Sequence, residues 1–282
     1  MLKSRNGLPT IDRYTQADNS VVVPTDTMKQ TTYLMAKQHP VNPPELFASI
    51  LAAHFTDTYK HIHTAKVKVI THRWTRMTID GEPHPHSFLR DGSETRNAEA
   101  TSNEGHGVSV RSAIVGLLVL KSTGSAFYGF IQDEFTILQE TNDRILSTDV
   151  DCGWTWETFS TLKAVEDVGS KFDDTWTTAR EITLKTFAND SSASVQNTMY
   201  KMCDQILAAE ESVDAVDYSL PNKHYFEIGK YQGIPEAGRV LTSVIDLSWH
   251  KGLKNTGKDA EVYAPQSNPN GLIQCTVKRD GK

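Results

Sequence analysis

Hydrophobic and polar positions divide the chain into two helix pairs, each followed by strand-like sequence. In the first pair, Thr25 stands where an N-cap would, ahead of "DTMKQTTYLMAKQ". Pro43-Pro44 then opens "ELFASILAAHFTDTYKHI", as proline does in a first helical turn. Leu46, Phe47, Ile50, Leu51, His54 and Phe55 recur at helical spacing and predict one apolar face. "AKVKVITHRWTRM" alternates like a strand, and Asp80-Gly81 turns it into "PHPHSFLRD". After a strand-rich stretch, "GVSVRSAIVGLLVLKSTGSAFYGFIQDE", the theme returns: "FDDTWTTAREITLKTFAND" predicts one helix and "SVQNTMYKMCDQILAAEES" another. Val195, Met199, Met202 and Ile206 share a face of the latter.

The second half therefore reads strand, strand, helix, helix, strand, strand, and the first half only helix, helix, strand, strand. An internal repeat whose first copy lacks its two opening strands accounts for both. The expected fold class is α+β, with a first unit over 1–106 and a second over 107–282. One stretch resists this pattern: Asn222 to Ile228 alternates as a half-buried strand, and Gly229, Gly233, Pro235 and Gly238 then break it until Asp246-Leu247-Ser248-Trp249-His250.

At 282 residues, with 38% apolar and 23% charged residues and a mean hydropathy of -0.44, the composition is that of a soluble globular chain. The longest apolar run, Ala113 to Leu120, is too short to span a bilayer, so no membrane association is expected. Net charge is -6, from 29 basic and 35 acidic residues without a long basic block, which speaks against nucleic acid as a partner. Three widely spaced cysteines, Cys152, Cys203 and Cys275, argue against a disulfide framework or a paired-cysteine metal site, and fit a reducing intracellular compartment. The opening residues lack the apolar core of a signal peptide.

Taken singly, the polar candidates have ordinary structural readings. Thr25-Asp26 and Ser194-Val195-Gln196 read as helix starts, the second with backbone N–H groups that could bind an anion. Phe127 and Leu138 read as core, Arg144 as a surface ion-pair partner, and His224 as a strand histidine with a local hydrogen bond. His72, His84 and His86 raise a metal site, and with it a metal-dependent hydrolase, but no third ligand set with recognised spacing accompanies them, so no metal is predicted.

A longer pattern changes this picture. "HRWTRM", "HPHSF", "DRILSTDVD", "TAREITLKTFA", "SASVQ", "LPNKHYFEI", "DLSWHKG" and "AEVYAPQSNPNGLI" occur in the order in which they stand in urate oxidases, and from about Tyr14 to about Val277 the chain resembles that cofactor-free family. The resemblance implies the tunnelling fold: two tandem units of antiparallel sheet with helix pairs on one face. Four subunits would close around a tunnel as a homotetramer, with active sites at subunit interfaces. It implies oxidation of urate by dioxygen and water to 5-hydroxyisourate and hydrogen peroxide, in purine catabolism and without flavin, haem or metal, since urate is the reductant. By position, Arg144 and Gln196 would clamp the urate plane, Phe127 would stack on it, and Ser194, the N–H of Val195 and Leu138 would line the pocket. Thr25 and Asp26 would come from a neighbouring subunit. Asn222 and His224 would stand above the plane where dioxygen and then water bind, with Thr25 and His224 in a proton relay completed in the family by a lysine.

Three departures from the family stand out. Met1 to Arg13 does not match the opening strands that carry the relay lysine, and Lys3 does not take that role by position. A non-catalytic purine-binding or structural homologue is the alternative this raises. The chain ends Arg279-Asp280-Gly281-Lys282 rather than in the family's Ser-Lys-Leu type address; a peroxisomal location is what the resemblance implies, and otherwise a cytoplasmic one is expected. Finally, "FEI" runs directly into "DLSWHKG" in the family, so Gly229 to Ile245 is an insertion of 17 residues (245 minus 228). Gly229-Lys230-Tyr231 can be encoded by a common splice-donor sequence, and a retained intron is the expectation. A tolerated surface loop is the other reading.

Overall fold

The computed structural model describes residues 2–3, 15–228, 247, 250–255, 259–266 and 268–279. The insertion read over 229–245 lies outside them.

Four helices follow the predicted segments. α1 (Thr25–Gln38) and α2 (Pro44–Thr58) form the first pair. After the short α3 (Leu162–Asp167), which the pattern did not predict, α4 (Gly169–Asn189) and α5 (Val195–Ala209) form the second. The predicted face of α5 is the buried one, with Val195, Met199, Met202 and Ile206 all in the core. α2 differs from its expected single apolar face: Phe47 to Ala53 are buried without interruption, because the helix packs against the sheet, α1 and α3 together. Thr25 is not a cap. Pro24 precedes it in that position, and no side chain caps the helix.

The strands are β1 (Leu2–Lys3), β2 (Thr64–Ile79), β3 (Glu82–Asn103), β4 (Gly107–Lys121), β5 (Leu146–Trp156), β6 (Val213–Lys223), β7 (Tyr225–Glu227), β8 (Tyr263–Pro265) and β9 (Leu272–Lys278). Seven of them form one antiparallel sheet in the order β1-β2-β3-β4-β5-β6-β9, while β7 and β8 pair separately. The 106/107 boundary falls at the turn between β3 and β4, and these strands pair from Thr95↔Val115 to Asn103↔Gly107, so the sheet runs unbroken across it. β4 shows how local sequence sets the facing. Val108, Val110, Ser112 and Ile114 point to the core, and after a bulge at Val115-Gly116 the inward positions become Leu117 and Val119. Gly116 takes φ +73°, and its amide is held by the Asp151 carboxylate at 2.8 Å.

Two expectations for the middle of the chain fail. The strand-rich reading of 107–134 holds only to Lys121, because Ser122-Thr123-Gly124 turns the chain, with Gly124 at φ +77°, into a long connection over 122–145. The strand read from Asn222 belongs to β6, which starts nine residues earlier at Val213, and it breaks at His224 before β7.

Helices and sheet are joined by a buried ion pair. Glu45, in the first turn of α2, is fully buried, and Arg96 on β3 meets both its oxygens, Nη2 to Oε2 at 2.6 Å and Nε to Oε1 at 3.3 Å. Ser112 on β4 donates to Oε1 at 2.8 Å, and Trp156 on β5 donates to that hydroxyl at 3.0 Å. Arg96 also reaches Asp173 on α4. Removing one partner of such a pair leaves a buried charge uncompensated, at a cost of about 3–5 kcal/mol. Glu45→Ala is therefore expected to lower the unfolding free energy measured in urea by that order, with Glu45→Ala/Arg96→Met recovering part of the loss. A double variant no more stable than the single one would remove the uncompensated charge as the cause.

Candidate functional site

The end of the sheet where β5 begins and β6 ends gathers most of the candidate residues. The connection over 122–145 is tied there at several points. Gly124 and Ala126 exchange backbone hydrogen bonds with Ser192, in the link between α4 and α5, at 3.2 and 2.8 Å. Phe127 and Thr141 bridge its two arms at 2.8 and 2.9 Å. The Asp143 carboxylate holds the turn, accepting from the Gly124 amide at 2.7 Å and from the Thr123 hydroxyl. Those bonds, the Thr123 hydroxyl first, keep its pKa below the usual carboxylate value against the opposing effect of burial.

This docking ties the segment that carries Phe127 to Ser192, just ahead of α5. The Arg144 guanidinium lies over the Phe127 ring, 5.3 Å from its centroid, and Phe130 stacks on Phe127 at 4.8 Å. Arg144 is half-buried, and its Nε is buried without a hydrogen-bond partner, as is the hydroxyl of neighbouring Ser125. Burial lowers its pKa, but a guanidinium stays charged. Arg144 is thus not the surface ion-pair partner its sequence context suggested: β5 starts two residues on and draws it inward. Buried donors of this kind call for an acceptor.

Ser194 caps α5 as predicted, accepting from the Asn197 amide at 3.2 Å. That leaves the N–H groups of Val195 and Gln196 at the positive end of the helix without intrahelical acceptors. Val195 is buried and Gln196 exposed. On the other side, the register Thr148↔Asn222 and Ser147↔Lys223 places the end of β6 next to the start of β5. Asn222 is pinned through its backbone to Gly271 and Asn270, each at 3.0 Å, and the His224 carbonyl accepts from the Gln266 amide at 2.9 Å. The His224 ring stacks near that of Phe226, at 6.0 Å, rather than making the local side-chain hydrogen bond expected of it.

Phe127, Arg144, Ser194, Val195, Gln196, Asn222 and His224 therefore stand on elements that meet at one end of the fold. Leu138 is on the same connection but 53% exposed, so it is not core; the loop faces it outward. Thr25 and Asp26 are exposed on α1, which packs against α2 over the β2 side, and the ion pair of Asp26 is with Lys29 at 2.7 Å. The chain does not bring these two to the others. Among the described residues, no group of three or more His, Cys, Asp or Glu is placed to hold a metal ion. His72 instead bonds Arg90 at 2.9 Å, and His84 packs edge to face with His86. Pattern reading missed Asp143 and Phe130, which organise the connection. "TNDR" carries the polar turn signal, but its partner Gly124 lies nineteen residues away.

A family model described as Uricase matches residues 9–101 and 110–274. The chain is 60% identical over 266 residues to the uricase of Aspergillus flavus, an alignment covering 94% of this chain and 82% of that one. It is 46% identical over 268 residues to the uricase of Schizosaccharomyces pombe, covering 95% and 84%. Among solved structures, the crystal structure of the uricase from Arthrobacter globiformis superposes with a TM-score of 0.78 at 32% identity, covering all of this chain and 85% of that one.

The held turn has a measurable signature. Since the folded pKa of Asp143 is depressed, its anchoring adds stability above the unfolded aspartate pKa and loses it as pH falls through the folded value. A carboxyl-detected NMR titration is expected to give Asp143 a midpoint below that of an exposed aspartate, and Thr123→Ala is expected to raise it. A midpoint indifferent to Thr123→Ala would assign the shift to some other group.

Proposed function

This chain belongs to the uricase family, and on that premise we propose how its residues carry the reaction. Urate is oxidised by dioxygen and water to 5-hydroxyisourate and hydrogen peroxide. Urate supplies two electrons and dioxygen accepts them, so the protein's tasks are to hold a planar anion, orient it and move protons.

The observation that carries the site assignment is Arg144: a half-buried guanidinium over Phe127, with an Nε that has no acceptor, on a connection bonded to Ser192 just ahead of a helix start. A planar oxyanion of the purine meets all three needs at once. Arg144 and the Gln196 amide grip its edge through paired hydrogen bonds, the N–H of Val195 adds a third donor, and the Phe127 ring covers one face. Ser194 keeps the helix start in place, and Leu138 borders the pocket. Asn222 and His224, held through their backbones by Gln266, Asn270 and Gly271, address the other face, where dioxygen and then water would bind.

Thr25 and Asp26 complete the site from a second copy of the chain. Their separation from the cluster within one chain supports this, as does the exposure of Ile131, Phe135 and Ile137, at 91%, 82% and 71%, on the connection that carries Phe127. A homotetramer with interfacial sites satisfies both. Thr25 and His224 then share the proton transfer that accompanies electron flow from urate.

Arg144→Lys, which keeps the charge and loses the fork, is expected to raise KM about 10–100-fold, since hydrogen bonds to charged groups contribute about 1.5–3 kcal/mol. Thr25→Ala is expected to lower kcat by about 10²–10⁴. Both are read from loss of urate absorbance with equimolar peroxide. Two inactive variants, Thr25→Ala and Arg144→Ala, unfolded and refolded together, are expected to regain activity because mixed interfaces contain intact sites. Active single-chain species, or no recovery from mixed assemblies, would confine each site to one chain.

A further inference from the structure

The three cysteines that lie far apart in sequence converge in the fold. The register pairs Cys152 on β5 with Tyr218 on β6, and Tyr218 with Cys275 on β9, a row across three adjacent strands. α5 packs over this row and brings Cys203 down onto it. The Cys203 thiol donates to the Val216 carbonyl at 3.6 Å, on the strand beside β9, and Cys275 packs against the same buried cluster. Tyr218 bonds the Thr183 hydroxyl at 2.6 Å and stands opposite Cys152 in the strand register.

The thiols differ in a way that suggests an order of reaction. Cys152 and Cys203 are fully buried, whereas Cys275 is partly open to solvent on β9, the last strand of the sheet. Burial pushes Cys152 up to about 12 and also raises Cys203, so both stay protonated. None of the three belongs to the urate site. Cys275 can thus meet a small oxidant first, with Cys203 behind it as the resolving thiol. α5 packs directly on β9, so the two sulfurs approach across that one contact to reach the S–S length of about 2 Å.

We propose that Cys203 and Cys275 are an oxidisable dithiol that hydrogen peroxide converts to a disulfide clamping α5 to β9. The sulfur of Cys275, as thiolate, attacks a peroxide oxygen; the O–O bond breaks, and hydroxide leaves and is protonated to water. The sulfur of Cys203 then displaces the sulfenic hydroxyl of Cys275, forming S–S, breaking S–O and releasing a second water. Two thiols lose two electrons in all, and one peroxide is reduced to two waters. The oxidant is the product of urate oxidation, so the source of peroxide rests on the proposed function. The clamp lands on the helix whose start presents Val195 and Gln196, and it fixes that helix when peroxide is being made.

The test uses the full chain, reduced and desalted, in two arms. In the first, peroxide is added without urate, and the product is alkylated after unfolding and mapped by mass. The expected result is an intact mass lower by two hydrogens, one remaining alkylatable thiol, a linked peptide pair containing Cys203 and Cys275, reversal by dithiothreitol and a higher melting temperature. Cys152→Ala keeps the link. Cys203→Ala loses it and accumulates a dimedone-reactive Cys275. Three alkylatable thiols after exposure, a link through Cys152 or between chains, or oxidation of Cys275 with no transfer to Cys203 would each overturn the proposal. In the second arm, urate and air replace peroxide, and the link is expected only without catalase. A link formed by added peroxide in a chain that leaves urate unconsumed sustains the dithiol and rejects the functional reading. Peroxide accumulating from urate without the link rejects the dithiol.

Discussion

The contact between Glu45 and Arg96 is the constraint on which the rest of the fold turns. A carboxylate buried completely in the first turn of a helix is tolerable only if its charge and lone pairs are met. Here Arg96 meets both oxygens, Ser112 adds a third bond, and Trp156 fixes Ser112. Because Arg96 continues to Asp173, which also accepts from Asn42 at 3.0 Å, one network joins α2, β3, β4, β5 and α4. The two helix pairs are thereby held at fixed positions over a single sheet. Glu94 works similarly beside it, almost fully buried between Arg73 of β2 and Arg180 of α4 at 2.7 and 2.6 Å.

The candidate site inherits its geometry from that frame. The pairing of β5 with β6 sets Asn222 opposite Thr148, and α4 and α5 deliver Ser192 and Ser194 to the same end. Only the connection over 122–145 is irregular, and it is fastened by Asp143, Ser192 and the Phe127–Thr141 bridge. A rigid sheet end, a helix start and a tied loop together give an arginine that is desolvated yet lacks an acceptor. Such an arginine would be costly in a structure with no ligand to receive, and it is ordinary in an anion site.

The candidate site and the thiol cluster share α5. One end of this helix opens its amides to the site through the Ser194 cap, and Cys203, two turns further on, rests on the strands below. Packing that fixes the middle of the helix also fixes the position of its first turn, since a helix of fifteen residues moves as a unit.

The sequence alone determined the two helix pairs, most of the strands and the family resemblance. Proline at the start of α2, the Ser194 cap, the spacing of Val195, Met199, Met202 and Ile206, and the alternation of β2 and β4 are local, because helix and strand periods and caps are properties of short segments. The motifs that resemble uricases identified Arg144, Gln196 and His224 together, where each singly read as a cap, an ion pair or a strand residue. Only the tertiary structure decided what those residues face. It turned Arg144 inward and Leu138 outward, moved the start of α1 onto Thr25 behind Pro24, and paired the buried charge of Glu45 with Arg96, fifty-one residues away. It also brought three scattered cysteines into one cluster. Burial and pairing across a sheet depend on residues distant in the chain, and no local pattern carries that information.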